Sequence, residues 1–237
     1  ATNDSPFYVI YKPSGIPSAP LNENDKDSAF SQLAVIHPEV LSVKGKKEIE
    51  HGLIHRIDTD TEGILLVAAT QAFYDYMLIE QAEGRFIKYY KAECVDFIDN
   101  LNYLTAFPEI NLEKNQNLKN GKTVEVESFF RSFGPGKKEV RPVTEDSSEI
   151  IKKKIGKKIK YITNIKLQTK NENSYIFICK ITSGFRHQVR CHLAWLGFPI
   201  IGDILYNSNK TDENMKFKAI KIEFSYNNRN YSLGFDQ

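Results

Sequence analysis

Ile64-Leu65-Leu66-Val67-Ala68-Ala69 is an uninterrupted apolar run. A run this short, bounded by turn residues, reads as a strand buried on both faces. The segment before it, "HGLIHRIDTDTEG" at residues 51–63, has the opposite character. There Asp58 follows His55-Arg56-Ile57 and precedes Thr59, Asp60, Thr61 and Gly63. Two readings compete. In one, Asp and Thr bond the local backbone and Gly supplies a positive φ, so the stretch is only a turn. In the other, the strand holds Asp58 rigidly at the floor of a site.

Composition narrows the field. A chain of 237 residues that is 41% hydrophobic can bury a core as one large domain or two small ones. A net charge of +2 is too mild to announce a nucleic-acid partner, so any basic surface must come from local clustering. The three cysteines, Cys94, Cys179 and Cys191, are odd in number and share no close spacing. They fit neither a disulfide framework nor a zinc knuckle, and a reducing cytoplasm is expected. The start, Ala1-Thr2-Asn3-Asp4-Ser5-Pro6, lacks the apolar run of a signal peptide. No stretch reaches the length needed to cross a bilayer. The expectation is a soluble, cytoplasmic protein.

Along the chain, Phe7–Tyr11 reads as a strand closed by the turn Lys12-Pro13-Ser14-Gly15. A helix is expected from about Ser28 to Ile36, stopping before Pro38. Thr70 can cap another through "QAFYDYMLIEQAEG", with Phe73, Tyr76, Met77 and Ile79 sharing part of one face and Gly84 ending it. "FIKYYKAECV" follows as a strand. Residues 107–160 are the least regular, with the turn-rich "FGPGKKEVRPV". "IKKKIGKKIK", residues 151–160, reads as a solvated hairpin or edge strand, since edge lysines discourage aggregation; the alternative is a phosphate-facing ribbon. "SYIFICKI" is a strand, Thr182-Ser183-Gly184 a turn, and "FRHQVRCHLAWLG" has helical spacing. On that helix Val189, Leu193 and Leu196 face the core, and Arg186 and Arg190, four apart, point together from a neighbouring face.

Taken together, these segments resemble the RluA family of pseudouridine synthases. His55, Arg56, Ile57, Asp58, Thr61, Glu62, Gly63, Ile64 and Leu65 carry a likeness to its His-Arg-Leu-Asp-x-x-Thr-Ser-Gly-Leu-Leu motif. Lys88, Tyr90 and Ala92 match its Lys-x-Tyr-x-Ala strand. Gly184, His187, Gln188, Val189, Arg190 and His192 match its Gly-Arg-Thr-His-Gln-Ile-Arg-x-His helix. "GFPIIGDILY" and "YKPSG" are similar to two further segments. The likeness runs from about Phe7 to Tyr206, weakest over residues 100–175. Four motifs in the family's order carry far more than any one alone. Two positions depart: Glu62 stands where the family has Ser, and Phe185 where it has Arg.

The resemblance implies an α+β fold, a mixed, largely antiparallel bent sheet flanked by helices with a central active-site cleft. It implies a polar tail over residues 1–6 and a single catalytic domain over 7–237, with no separate N-terminal RNA-binding domain. It also implies an RNA partner, ribosomal or transfer RNA, a monomer, and neither metal nor cofactor. Asp58 would be the essential carboxylate, attacking covalently or removing a ribose proton. Arg190 would pair with Asp58 and keep it ionised. Tyr90 would lie against the uracil. Arg56 would fill the space of the displaced base, since guanidinium planes stack on bases. His55 would order the loop or contact phosphate. Thr61, Lys88, His187 and Gln188 would contact substrate, and Ile64 and Leu205 would line the pocket.

Two other readings remain open. A metal hydrolase on His51/His55 and His187/His192 requires residues 51–55 to be helical and lacks the Glu of a His-Glu-x-x-His motif. A catalytically inactive RNA-binding module or RNA chaperone on the same fold would not need Asp58, Tyr90 and Arg190 together.

Overall fold

The computed structural model describes residues 5–97, 105–208 and 213–235. Most of the polar tail expected over residues 1–6 lies outside them. The chain forms two compact units, one running to Lys88 and resuming at Lys218, the other spanning Tyr89–Phe217. Both boundaries fall inside strands, so no linker composition marks them.

In the first unit β1 (Phe7–Lys12) pairs antiparallel with β2 (Glu62–Ala68), Ile10 opposite Leu65 and Tyr11 opposite Ile64. Between them lies α1 (Ala29–Ile36), capped by Ser28, whose side chain accepts from Ser31 N. Residues 64 to 68 of β2 are all fully enclosed. Each large side chain buried this way stabilises the fold by ~1.5–3 kcal/mol, which is why the apolar run anchors its surroundings. α2 (Gln71–Ala82) follows, with Thr70 accepting from Phe73 N as expected.

The α2 face differs from the expected one. Phe73, Tyr74, Met77 and Glu80 are buried, while Ile79 is exposed. At ~100° per residue, Ile79 lies about 240° around the helix from Phe73. Glu80 fills the face because Arg85 donates to it through Nε and Nη2, at 3.0 and 2.6 Å.

The start of β2 runs parallel to β8 (Phe217–Tyr226), Gly63 opposite Ala219, and β8 pairs antiparallel with β9 (Arg229–Gly234). Gly63 has φ 129°, and a Cβ there would stand 2.1 Å from the Ala219 carbonyl oxygen. Only glycine fits.

In the second unit the strand order is β3 (Ile87–Cys94), β7 (Tyr175–Ile181), β6 (Tyr161–Lys170), β4 (Val124–Phe133), β5 (Glu139–Val143). β4, β5, β6 and β7 pair antiparallel. α3 (Leu112–Lys119) and α5 (Gln188–Trp195) pack on these strands. Mostly antiparallel sheet with flanking helices is the expected α+β class.

Residues 151–160 form neither a hairpin nor an edge strand. The run starts in the short helix α4 (Glu149–Lys152) and continues through turns until β6 begins at Tyr161. Glu149 pairs with Lys152 at 3.0 Å, and such an i,i+3 contact favours a helical turn. The lysines from Lys153 onward are exposed.

α5 also starts later than its spacing suggests. His187 takes a left-handed conformation, φ 56°, and the helix begins at Gln188. Arg186 therefore lies outside it and does not share a face with Arg190. Val189, Leu193 and Leu196 are buried as expected.

Candidate active site

In the first unit the Asp58 loop is built against the turn after β1. Lys12 is fully buried and its Nζ donates to three carbonyls, Pro13 at 2.9 Å, Ile16 at 2.7 Å and Thr59 at 2.9 Å. Gly15 N donates to the same Thr59 oxygen at 2.9 Å. Ser14 Oγ donates to the Asp60 carbonyl at 2.8 Å. Ser18 Oγ donates to the Ile57 carbonyl at 2.7 Å and accepts from Ile57 N at 3.0 Å. The carbonyls on either side of Asp58 are thus pinned, and Asp58 itself is half-buried. Burial lowers the Lys12 ammonium to about 8, against the opposing pull of Asp60, Asp58 and Glu62. The loop is more than a solvated turn: its backbone is fixed from three side chains upstream.

The neighbours of Asp58 fall into two groups. Arg56 is exposed and its Nη1 donates to Glu50 Oε1 at 2.9 Å. Thr61 and Ile64 are fully enclosed. Ile64 is a core residue of β2, and its expected place on a pocket wall is corrected accordingly.

His55 accepts from Leu66 N through Nε2 at 3.2 Å and sets its ring edge against Phe86, 5.3 Å between centroids. Burial, with Lys88 adding to it, lowers its pKa to about 3. The ring is thereby bonded to the backbone of β2 in its neutral form. Lys88 is also buried, lies 4.9 Å over the Phe86 ring, and is lowered by burial to about 8.

Glu62 is engaged locally. It accepts from the Tyr11 hydroxyl at 2.6 Å and lies 3.6 Å from Lys218 Nζ. Burial and the Glu62 bond push the Tyr11 hydroxyl up to about 12.

In the second unit Tyr90 is nearly buried and stacks on Phe217, 5.2 Å between centroids at 14°. Arg190 is 3% exposed, so it is no surface arginine, and it makes a two-pronged contact with Asp203: Nε to Oδ2 at 2.7 Å and Nη2 to Oδ1 at 2.8 Å. Asp203 Oδ1 also accepts from Leu205 N and Tyr206 N, at 3.0 and 3.2 Å. Leu205 packs against the Tyr206 cluster. His187 Nδ1 lies 3.1 Å from the Tyr206 hydroxyl.

Gln188 is 2% exposed and fully used inside the fold. Its Nε2 donates to Ile162 O and Thr163 Oγ1, and its Oε1 accepts from Phe185 N. It braces the start of α5 and is corrected from substrate contact to structural residue.

The Phe185 departure has a packing reason. Its ring stacks on Phe130, 5.0 Å at 6°, and lies 5.0 Å from Tyr161. A guanidinium in that aromatic cluster would be stripped of water. Arg186 is exposed instead and donates to the carbonyls of Lys137 and Glu139, at 2.5 and 3.2 Å.

Residues 51–55 are not helical, so His51 and His55 do not present the i,i+4 pair that the metal-hydrolase reading requires. His192 is spent between Ser128 Oγ and Thr163 Oγ1, each at 2.9 Å. A pocket of about 650 Å³ in the second unit, walled by Phe107, Phe129, Pro142 and Trp195, contains none of the predicted site residues. Lys12, Glu50 and Asp203 are the anchoring residues that site reading of the sequence passed over. Lys12 and Asp203 lie within matched motifs, "YKPSG" and "GFPIIGDILY", and Glu50 carries no sequence signal.

Among solved structures, human RNA Pseudouridylate Synthase Domain Containing 1 matches with a TM-score of 0.66 at 17% identity, over 98% of this chain and 80% of that one. That likeness sets the fold as the one adopted by pseudouridylate synthases. Residues 6–195 match the RNA pseudouridylate synthase family, and the chain belongs to it, on the RluA side. It is 25% identical to an uncharacterized RNA pseudouridine synthase of Mycoplasma pneumoniae, the MG209 homolog, over 98% of this chain and 64% of that protein. It is 23% identical to ribosomal large subunit pseudouridine synthase D of Zymomonas mobilis, over 93% of this chain and 59% of that protein. The chain therefore spans about three fifths of the length of these curated relatives. Among the described residues no helix is long and apolar enough to cross a membrane.

Proposed function

We propose that this chain is an RNA pseudouridine synthase that isomerises uridine in structured RNA, with Asp58 as the essential carboxylate. The observation that carries the reading is the clamp on residues 57–60. A carboxylate that must meet one sugar carbon gains from a backbone that cannot drift, and Lys12, Ser14 and Ser18 supply that restraint.

In the reaction the bond from uracil N1 to ribose C1′ breaks. The base turns, C5 bonds to C1′, the proton on C5 leaves, and N1, released from the sugar, takes up a proton. The net change is an isomerisation, so no oxidant or reductant is consumed. Asp58 either adds to C1′ or takes a ribose proton. Tyr90 is assigned the uracil face, and Arg190 is assigned the partnership with Asp58 that the family resemblance implies. Ribosomal RNA is the favoured substrate because the Zymomonas mobilis relative is named for the large ribosomal subunit; transfer RNA is the alternative, and the cytoplasm is the compartment.

The test is tritium release from RNA carrying [5-³H]uridine, for wild type and Asp58→Asn. Wild type should release tritium, while Asp58→Asn should bind RNA and release none. Turnover by the variant would remove Asp58 from the chemistry. RNA binding without turnover in wild type would favour the inactive RNA-binding module.

A further inference from the structure

We propose that Glu50 is the positioning residue for Arg56, holding its guanidinium in place before RNA arrives and offsetting its charge. The proposal rests on the reading of Asp58 and Arg56 given above.

The geometry lies wholly in the first unit. Arg56 is two residues from Asp58, and its side chain is 56% exposed. A long side chain that exposed would normally sample many rotamers. Here Nη1 is fixed on Glu50 Oε1 at 2.9 Å, and the Glu50 side chain is only 16% exposed. Lys47 Nζ lies 3.1 Å from the same oxygen.

Glu50 in turn has little freedom. Its N–H donates to Lys47 O and its carbonyl accepts from Leu53 N. His51 is held at φ 41°, and Gly45 packs so closely on its carbonyl that a Cβ would stand 2.2 Å away. Ala68 N donates to the Gly52 carbonyl at 2.7 Å, which ties this arch to β2. The carboxylate and the Asp58 loop are therefore anchored to the same strand.

Two consequences follow. A guanidinium held in its own plane through one nitrogen, and more than half exposed, leaves its planar faces available for stacking on a base. Its charge is offset in part by Glu50, which it shares with Lys47, and so adds less to phosphate binding than a free arginine would. Arg56 then acts by filling space, and Glu50 keeps it from becoming a general phosphate contact.

The experiment measures single-turnover rate and RNA affinity across a salt series. Substrates are a stem-loop RNA and a short unstructured RNA with the same target sequence. The proteins are wild type, Glu50→Gln, Glu50→Asp, Arg56→Ala, Glu50→Gln/Arg56→Ala and Asp58→Asn.

Glu50→Gln keeps the shape and removes the charge. It should bind RNA more tightly, with a salt slope steeper by about 1, because one more cation is free for phosphate. Its rate on the stem-loop should fall about 2- to 5-fold, the loss of one partly shielded ion pair, with a smaller loss on the unstructured RNA. Glu50→Asp, which keeps the charge, should keep the wild-type salt slope. In the Arg56→Ala background, Glu50→Gln should leave the rate on both RNAs unchanged.

A rate loss that persists in that background overturns the proposal, as does a Glu50→Gln protein matching wild type in rate and slope, or a steepened slope in Glu50→Asp. Turnover by Asp58→Asn would instead overturn the catalytic reading, while the affinities and salt slopes still judge Glu50.

Discussion

Lys12 donates to the Thr59 carbonyl at 2.9 Å, joining the turn after β1 to the residue that follows Asp58. Two further carbonyls, of Pro13 and Ile16, share the same ammonium. Lys12→Met would strip the Pro13 and Ile16 carbonyls of this donor and leave the Thr59 oxygen with Gly15 N alone. Each such loss costs roughly 1–3 kcal/mol where water cannot substitute. The variant should unfold at least ~2 kcal/mol more easily in urea. An unchanged urea midpoint would mean that the loop does not depend on this clamp.

Gly63→Ala should be among the most damaging single-methyl changes in the chain. The new Cβ would stand 2.1 Å from the Ala219 oxygen at a residue with φ 129°. Strain of this kind, together with the displaced strand, is expected to cost ~3 kcal/mol or more. Thermal denaturation of the purified variant gives the answer. A melting temperature within a degree or two of wild type would show that β2 and β8 separate at little cost.

Much of this was legible in the sequence, and the misses share a physical cause. The apolar run of β2, the helix starting near Ser28 and the cap Thr70 are local signals, and each appears as read. The start of α5 is not local. Its delay depends on His187 turning left-handed and on Arg186 reaching the carbonyls of Lys137 and Glu139, about fifty residues away in sequence. The Glu50–Arg56 pair likewise depends on the backbone turn at His51, which no periodicity encodes. Composition alone could not tell the 151–160 lysines in a helical turn from lysines on a strand edge. Lys12 was visible only as part of a matched turn, because its three acceptors come from two separated segments.

The pH dependence of stability should carry the mark of two histidines. Burial lowers both His55 and His192 to about 3 from 6.5. The unfolded chain therefore binds more protons than the folded one between those values. Their stabilisation is complete above pH 6.5 and is lost as pH falls towards 3, by up to ~1.4 kcal/mol per unit for each histidine. Urea titrations at pH 7, 6, 5 and 4 should show the decline beginning near 6.5, above the range where carboxylates start to protonate. A level wild-type profile down to pH 5 would contradict the buried neutral assignment.

Lys88 carries the same sign in a more alkaline window. Burial lowers its ammonium from 10.5 to about 8, so the unfolded chain is the more protonated from about 8 to 10.5. Wild-type stability should rise relative to Lys88→Met across that window. Below pH 8 the Met variant should be the more stable, because it buries a similar volume without a charge. Paired denaturation curves at pH 7, 9 and 10.5 test this. A stability difference that stays constant over the range would place the ammonium in contact with water.

Arg190 and Asp203 allow structure to be separated from chemistry. Both are buried, and their two-pronged contact also fixes the backbone at Leu205 and Tyr206. Asp203→Ala would remove the two-pronged Asp203 contact from a buried guanidinium, a loss that can reach ~3–5 kcal/mol. Replacing both partners with apolar residues of similar size removes the charge penalty, though Leu205 N and Tyr206 N lose the Asp203 acceptor, so Arg190→Met/Asp203→Leu should regain part of the lost stability. If Arg190 serves only the fold, this double variant should also regain pseudouridine formation. If Arg190 supports the reaction, as proposed, the double variant should fold well, bind RNA and remain inactive. The measurements are urea stability and tritium release on the same preparations. Wild-type turnover by a stable double variant would take Arg190 out of the mechanism and leave it a structural residue.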